Sequence, residues 1–153
     1  MKAHRSILAA LRAAERRARY RVKARGSAAI RSSGLLVDLD ARTLPFTAVN
    51  TLAERVGVAP EALLAIVGIP ARTAARRRTE RFLKPDEADR VLRAARVVEE
   101  SARVFGGYAK AAIWLGARHP LLAGEAPLTL LGSDAGAKSV SDELIRIDHG
   151  DFA

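Results

Sequence analysis

The stretch PEALLAIVGIPARTAARRR, residues 60–78, decides how this chain is read. Pro60 suits a helix start, because its missing N–H is one of the donors that a first turn leaves unpaired anyway. Leu63, Leu64 and Val67 then fall on one face at helical spacing, and Gly68 supplies the left-handed backbone that a tight stop asks for. Ile69 follows as an apolar plug, Ile69-Pro70 makes the turn, and a second helix is predicted from Ala71 to about Glu80. Two short helices around a glycine turn with a plug behind it have the layout of a helix-turn-helix. The second helix carries Arg72, Thr73, Arg76, Arg77 and Arg78. Residues near its start are placed to meet base edges and the others to meet phosphates, so these five are the candidate DNA-binding residues. The competing reading of the same arginines is a solvated surface.

Working outward, Pro45 at a first-turn position, Val49, Leu52 and Val56 on one face and Gly57 as terminator predict a helix over residues 45–56. On the other side, Lys84-Pro85-Asp86-Glu87 reads as a helix start, with two carboxylates near the positive end of the helix dipole. Val91, Leu92, Ala95, Val98, Ala102 and Phe105 carry that helix, the longest, to a stop at Gly106-Gly107. Another runs from Tyr108 to Leu115 and is closed by Gly116; His119-Pro120 breaks the chain, and residues 127–131 give a short helical turn. Ser133 or Asp134 caps a last helix, on which Val140, Leu144 and Ile147 recur before Gly150 ends it. Residues 35–39 suit a short extended piece without a partner strand, so the fold class expected is all-α.

The N-terminal 25 residues place Ile7, Leu11, Ala14, Ala18 and Val22 at helical spacing among arginines, followed by a Gly/Ser-rich linker. This pattern fits an organellar transit peptide, a membrane-surface helix, or an extension that pairs with a partner or touches DNA phosphates; the three stay open.

The whole chain has 153 residues, 49% of them hydrophobic, enough for one domain or two small ones sharing a core. It has no cysteine, which excludes disulfides, thiolate metal sites and cysteine nucleophiles. No apolar run approaches the roughly 20 residues of a membrane span, and a cytoplasmic location is expected. The formal charge of +9 is uneven: residues 1–44 carry 11 Lys+Arg against 3 Asp+Glu, residues 45–84 carry 7 against 3, and residues 85–153 carry 8 against 11. The division expected is a basic extension (1–44), a helix-turn-helix (45–84) and a helical partner-binding domain (85–153).

No active site is legible. His4, His119 and His149 lack acidic neighbours at metal-ligand spacing, and Asp86, Glu87 and Asp89 are explained by helix-start electrostatics. Gly106-Gly107 is a helix stop rather than a phosphate loop, and Ser133 and Ser139 lack a nucleophile-elbow context. The expectation is a protein that is not an enzyme and that has no metal or cofactor.

From about Pro45 to the C-terminus the chain resembles the Xre/MbcA/ParS antitoxins that carry a C-terminal toxin-binding domain. The pieces come in order. LPFTAVNTLAERVGV is similar to the opening helix, GIPARTAARRR to the glycine-isoleucine-x-x-arginine-threonine stretch with its paired arginines, and LKPDEADRVLRAARVV to the central helix. VFGGYAKAAIWLGARHPLLAGEAPLTLLGSDAG resembles the toxin-binding segment, and VSDELIRIDHGDFA the terminal helix with its arginine-isoleucine-acid-histidine-glycine ending. His119 stands where an asparagine is common, and Leu122-Ala123-Gly124 replaces leucine-glycine-glycine.

The resemblance implies a non-catalytic antitoxin of a type II toxin–antitoxin system. Its partners would be a RES-type toxin that consumes or transfers from NAD, and operator DNA bound as a homodimer. Trp114, Leu115, Leu144, Arg146, Ile147, Asp148, His149 and Gly150 are the toxin-binding candidates, with Trp114 also readable as a plain core residue. The short end after Gly150 is expected to reach into the toxin's cleft; the competing reading is that the last helix merely completes the domain. The rivals from other classes are a stand-alone helix-turn-helix transcription regulator and a structural protein whose basic N-terminal helix binds membranes or nucleoid DNA.

Overall fold

The computed structural model describes residues 44–150. The basic segment, the linker and the extended piece at residues 35–39 lie outside the described residues, as do residues 151–153. The fold is all-α: α1 (Thr47–Val56), α2 (Pro60–Ile66), α3 (Ala71–Glu80), α4 (Pro85–Phe105), α5 (Tyr108–Gly116), a 3-10 turn (Pro120–Leu122), α6 (Pro127–Leu130) and α7 (Asp134–His149).

Most helix ends are set by local chemistry. Pro60, Pro85 and Pro127 each stand in a first turn. Ser133 caps α7, its Oγ accepting the Gly136 N–H at 3.0 Å. Gly57, Gly106 and Gly150 end α1, α4 and α7 in the left-handed conformation.

One expected boundary is corrected: α1 begins at Thr47, not at Pro45. Pro45 lies instead in an antiparallel bridge opposite Phe82. Phe46 N–H donates to the Arg81 carbonyl at 2.8 Å, and Leu83 N–H donates to the Leu44 carbonyl at 3.0 Å. A proline has no N–H to give, so the pairing runs through its neighbours, with Leu44, Phe46 and Leu83 buried behind it. The entry to the described chain is thereby tied to the far end of α3.

The 21-residue α4 is the spine, about 32 Å long at 1.5 Å per residue. It packs against α1, α5 and α7, while α2 touches α3, α6 and α1. Val91, Leu92, Ala94, Ala95, Val97 and Val98 are all buried, which takes more than one face of the helix and therefore neighbours on more than one side. One apolar core results, continuous from Leu44 to Leu144, with no break at residue 85. Gly132, in the loop between α6 and α7, closes the join: a Cβ there would collide with the Ile66 carbonyl at the end of α2.

Candidate functional surfaces

The α2–turn–α3 unit is built as its sequence predicts. Gly68 has φ +71°, a conformation that costs an L side chain strain, and Ile69 behind it is buried. Arg90 of α4 reaches back to this turn, its Nη1 donating to the Gly68 carbonyl at 3.0 Å while its Nε donates to the Asp86 carbonyl at 3.1 Å. A carbonyl that a helix end leaves without a partner is thus satisfied by a side chain from another helix.

Along α3 the exposed residues Arg72 and Arg76 stand one turn apart, and with half-buried Thr73 they line a shallow hollow. Arg76 Nε lies 3.8 Å from Glu80. Arg78 is also exposed; it sits 3.5 Å from Glu61 of α2, and its guanidinium lies 5.4 Å from the centre of the Phe46 ring. A groove between α2 and α3, floored by Leu64, Ile69 and Ala74, runs beneath that ion pair.

Arg77 requires a correction, because it is 2% exposed and cannot serve as a surface contact. Its Nε and Nη2 donate to the two carboxylate oxygens of Glu87 at 2.6 and 3.0 Å, and Nη1 donates to Glu80. Glu87 is buried as well and also accepts the Lys84 N–H at 2.9 Å. The fork of a guanidinium matches both oxygens of a carboxylate, which is the arrangement able to offset burial of two charges. Desolvation raises the Glu87 pKa, but the bonds from Arg77 and Lys84 outweigh it and hold the carboxyl below its ordinary value. The same bond to Glu87 holds Arg77 above its own. Glu87 therefore does more than sit near a helix dipole: it fastens α3 to the spine. Spacing carried a hint, since Arg77 stands one turn after buried Ala74.

The C-terminal surface has another character. Trp114 is half-buried between Phe105 (ring centres 5.3 Å apart) and His119 (4.9 Å), and His119 Nε2 donates to the Trp114 carbonyl at 2.9 Å. Leu115 and Leu144 are fully buried, which corrects their place among contact residues; they form the core beneath the surface. Arg146 and Ile147 are half-buried, with Arg146 Nη1 donating to Glu143 at 3.2 Å. Asp148 accepts from Arg103 of α4 at 2.9 Å, and His149 and Gly150 are exposed at the end of α7.

Sequence reading missed Ile113, Leu121 and Ile145, which are 55%, 61% and 46% exposed. Ile113 lies on the side of α5 opposite Ala111 and Leu115, a position that a helical wheel identifies. On α4, Glu99 accepts the Tyr108 hydroxyl at 2.6 Å and pairs with Arg55 of α1, whose guanidinium lies 4.8 Å from the centre of the Tyr108 ring. Burial and the bond to Glu99 push the Tyr108 phenol up to about 12.

Among the described residues, no group of three or more His, Asp or Glu could hold a metal ion, and no helix is long and apolar enough to cross a membrane.

Comparison with known proteins divides the chain inside α4. Residues 35–96 match the antitoxin Xre-like helix-turn-helix domain, and residues 101–150 match the antitoxin Xre/MbcA/ParS C-terminal toxin-binding domain. Over 94 residues the sequence is 37% identical to Antitoxin Xre of Yersinia enterocolitica, a match that takes in 60% of this chain and 63% of that protein.

Proposed function

The chain belongs to the Xre/MbcA/ParS antitoxins, and from that premise we propose that it is the antitoxin of a type II toxin–antitoxin pair: it binds and neutralises a RES-type, NAD-consuming toxin in the cytoplasm and, as a homodimer, represses its own operon. The observation that carries this reading is the match of residues 101–150 to a toxin-binding domain that shares its central helix with a helix-turn-helix.

On the toxin side, the contact surface would combine the end of α7 with the exposed aliphatic residues. Ile113, Leu121 and Ile145 are three of the four large exposed apolar side chains among the described residues, and all three fall within the toxin-binding match. Apolar side chains of this size release water on docking and anchor interfaces. Arg146, Ile147, Asp148, His149 and Gly150 would then close the toxin's NAD cleft, with Arg103 holding Asp148 in place and Trp114 braced behind by Phe105 and His119. The chain itself performs no catalysis in this account.

On the DNA side, Arg72, Thr73 and Arg76 would enter the major groove, with Arg78 at its edge. Arginine bonds N7 and O6 of guanine together, a contact worth about 1–3 kcal/mol of discrimination.

Co-expression with a RES-type toxin encoded beside it, with cellular NAD as readout, tests the proposal. The expected result is restored growth and NAD, and co-purification of the two chains. Removal of residues 146–153 is expected to restore NAD loss while leaving the helix-turn-helix able to bind DNA. Full toxicity in the presence of the intact chain, with operator binding retained, would instead describe a stand-alone regulator.

A further inference from the structure

Of the four large apolar side chains exposed among the described residues, Phe82 is the one that lies outside the toxin-binding match. It stands between α3 and α4, in the antiparallel bridge opposite Pro45, and is 52% exposed. The two hydrogen bonds of that bridge flank the pair, one from Phe46 to Arg81 and one from Leu83 to Leu44. In such a pair the N–H and C=O of the two central residues point away from each other, along the outer edges of the ribbon. On one outer edge Pro45 has no N–H, and its carbonyl already accepts the Ala48 N–H at 3.0 Å. On the other, the N–H and C=O of Phe82 make no hydrogen bond among the described residues, and an exposed aromatic ring stands beside them. One edge is closed and the other is open.

An open edge is a template for another strand. A second copy cannot offer its Pro45 edge, which has no donor to give. The pairing left to two copies is therefore Phe82 against Phe82, antiparallel, about a two-fold axis. There each Phe82 N–H donates to the Phe82 carbonyl of the other copy, and the two rings cover one another. The charges agree with that register. Exposed Lys84 comes towards exposed Glu80 of the other copy, each two positions from the axis; Glu80 keeps Arg76 and Arg77 on its own chain. A contact of this kind closes at two copies and does not extend into a filament.

We propose that Phe82 is the centre of a two-fold interface through which two copies of this chain pair edge to edge. The proposal rests on the homodimer reading above and gives that dimer its surface. It also sets the distance between the two α3 helices. Arg72 lies about 12 Å of helix from Glu80, and the step on to Phe82 adds up to roughly 7 Å, so the two Arg72 positions stand up to ~38 Å apart across the axis. Two half-sites one duplex turn apart need about 34–36 Å, which this reach covers.

The chain has no cysteine, so Phe82→Cys places a single thiol at the axis. Opposed residues of a hydrogen-bonded antiparallel pair have Cα atoms about 5.5 Å apart, inside the range that a disulfide spans. Oxidised full-length Phe82→Cys is expected to run as a covalent dimer on a non-reducing gel, whereas Ile113→Cys, exposed on α5, stays mostly a single chain. Phe82→Ser, with the helical circular dichroism of the wild type, is expected to raise the dimer dissociation constant in sedimentation at least tenfold. Should Phe82→Ser lose its helical signal, the cross-link decides alone. A dimeric wild type whose Phe82→Ser variant sediments unchanged, and whose Phe82→Cys variant cross-links no more than Ile113→Cys, overturns this edge and leaves the homodimer reading standing. A wild type that is monomeric at every concentration, alone and on a duplex of the promoter, overturns the homodimer and this interface together. If Phe82→Ser loses toxin capture while sedimenting like the wild type, the edge belongs to the toxin and the second copy is overturned.

Discussion

The helix-turn-helix half and the C-terminal half share α4, yet they are fastened to it by different means. The second helix of the motif, α3, buries only Ala74 and Arg77, so its hold on the spine is ionic: Arg77 on Glu87, with Arg90 pinning the turn through Gly68. The C-terminal half is held by aliphatic packing of Leu115, Leu122, Leu128, Leu131, Val140 and Leu144, while its polar links, Arg103 to Asp148 and Ser141 to Glu100, lie at the rim. A helix that leaves most of its side chains exposed has little apolar area with which to hold its own protein.

The difference predicts unequal sensitivities. Glu87→Ala leaves a buried guanidinium with Glu80 alone in place of its bidentate partner, and a loss of about 3–5 kcal/mol is expected in urea unfolding. A loss below about 1 kcal/mol would mean that apolar contacts hold α3 after all. Leu144→Ala, in the other half, is expected to cost about 3 kcal/mol through lost burial and the cavity left behind, with the same cost at pH 7 and pH 4.

Acid separates the halves further. The Glu87 pKa is lowered in the folded state, so its contribution is complete above the unfolded carboxyl value of about 4.3 and is lost as pH falls through the lower folded value. Unfolding midpoints of the wild type should therefore drop on going from pH 5 to pH 3 more steeply than those of Glu87→Gln. Parallel curves would remove the ionic account of how α3 is held. The smallest effect on stability is expected for Ile113→Ser/Leu121→Ser, within about 0.5 kcal/mol because both side chains are already exposed. That variant is expected to weaken toxin co-purification at least tenfold. Unchanged capture would move the contact to the end of α7 alone.

Much of this was legible beforehand. The bounds of α3, the start of α4 at Pro85 and the glycine ends of α1, α4 and α7 agree with their reading from sequence, since prolines, glycines and a capping serine act within one turn of themselves. Pro45 was misplaced because its role depends on Phe82, 37 positions along, and no local signal reports a pairing at that distance. Arg77 was taken for a surface residue because arginine type favours solvent; only Glu87, arriving from the next helix, makes its burial tolerable. Leu115 and Leu144 were assigned to contacts through the resemblance, although their helical phase with Ala111 and Val140 points inward.

The sequence by itself therefore determined an all-α chain, the position of its helix-turn-helix, and the concentration of its charge in the first 25 residues, since helix capping, apolar periodicity and net charge are local sums over neighbouring residues. Tertiary structure alone decided which arginines of α3 face solvent, which apolar residues of residues 101–150 are left uncovered, and that one helix serves both halves. Those outcomes depend on which distant side chain comes to lie alongside, and that is a property of packing rather than of the order of residues.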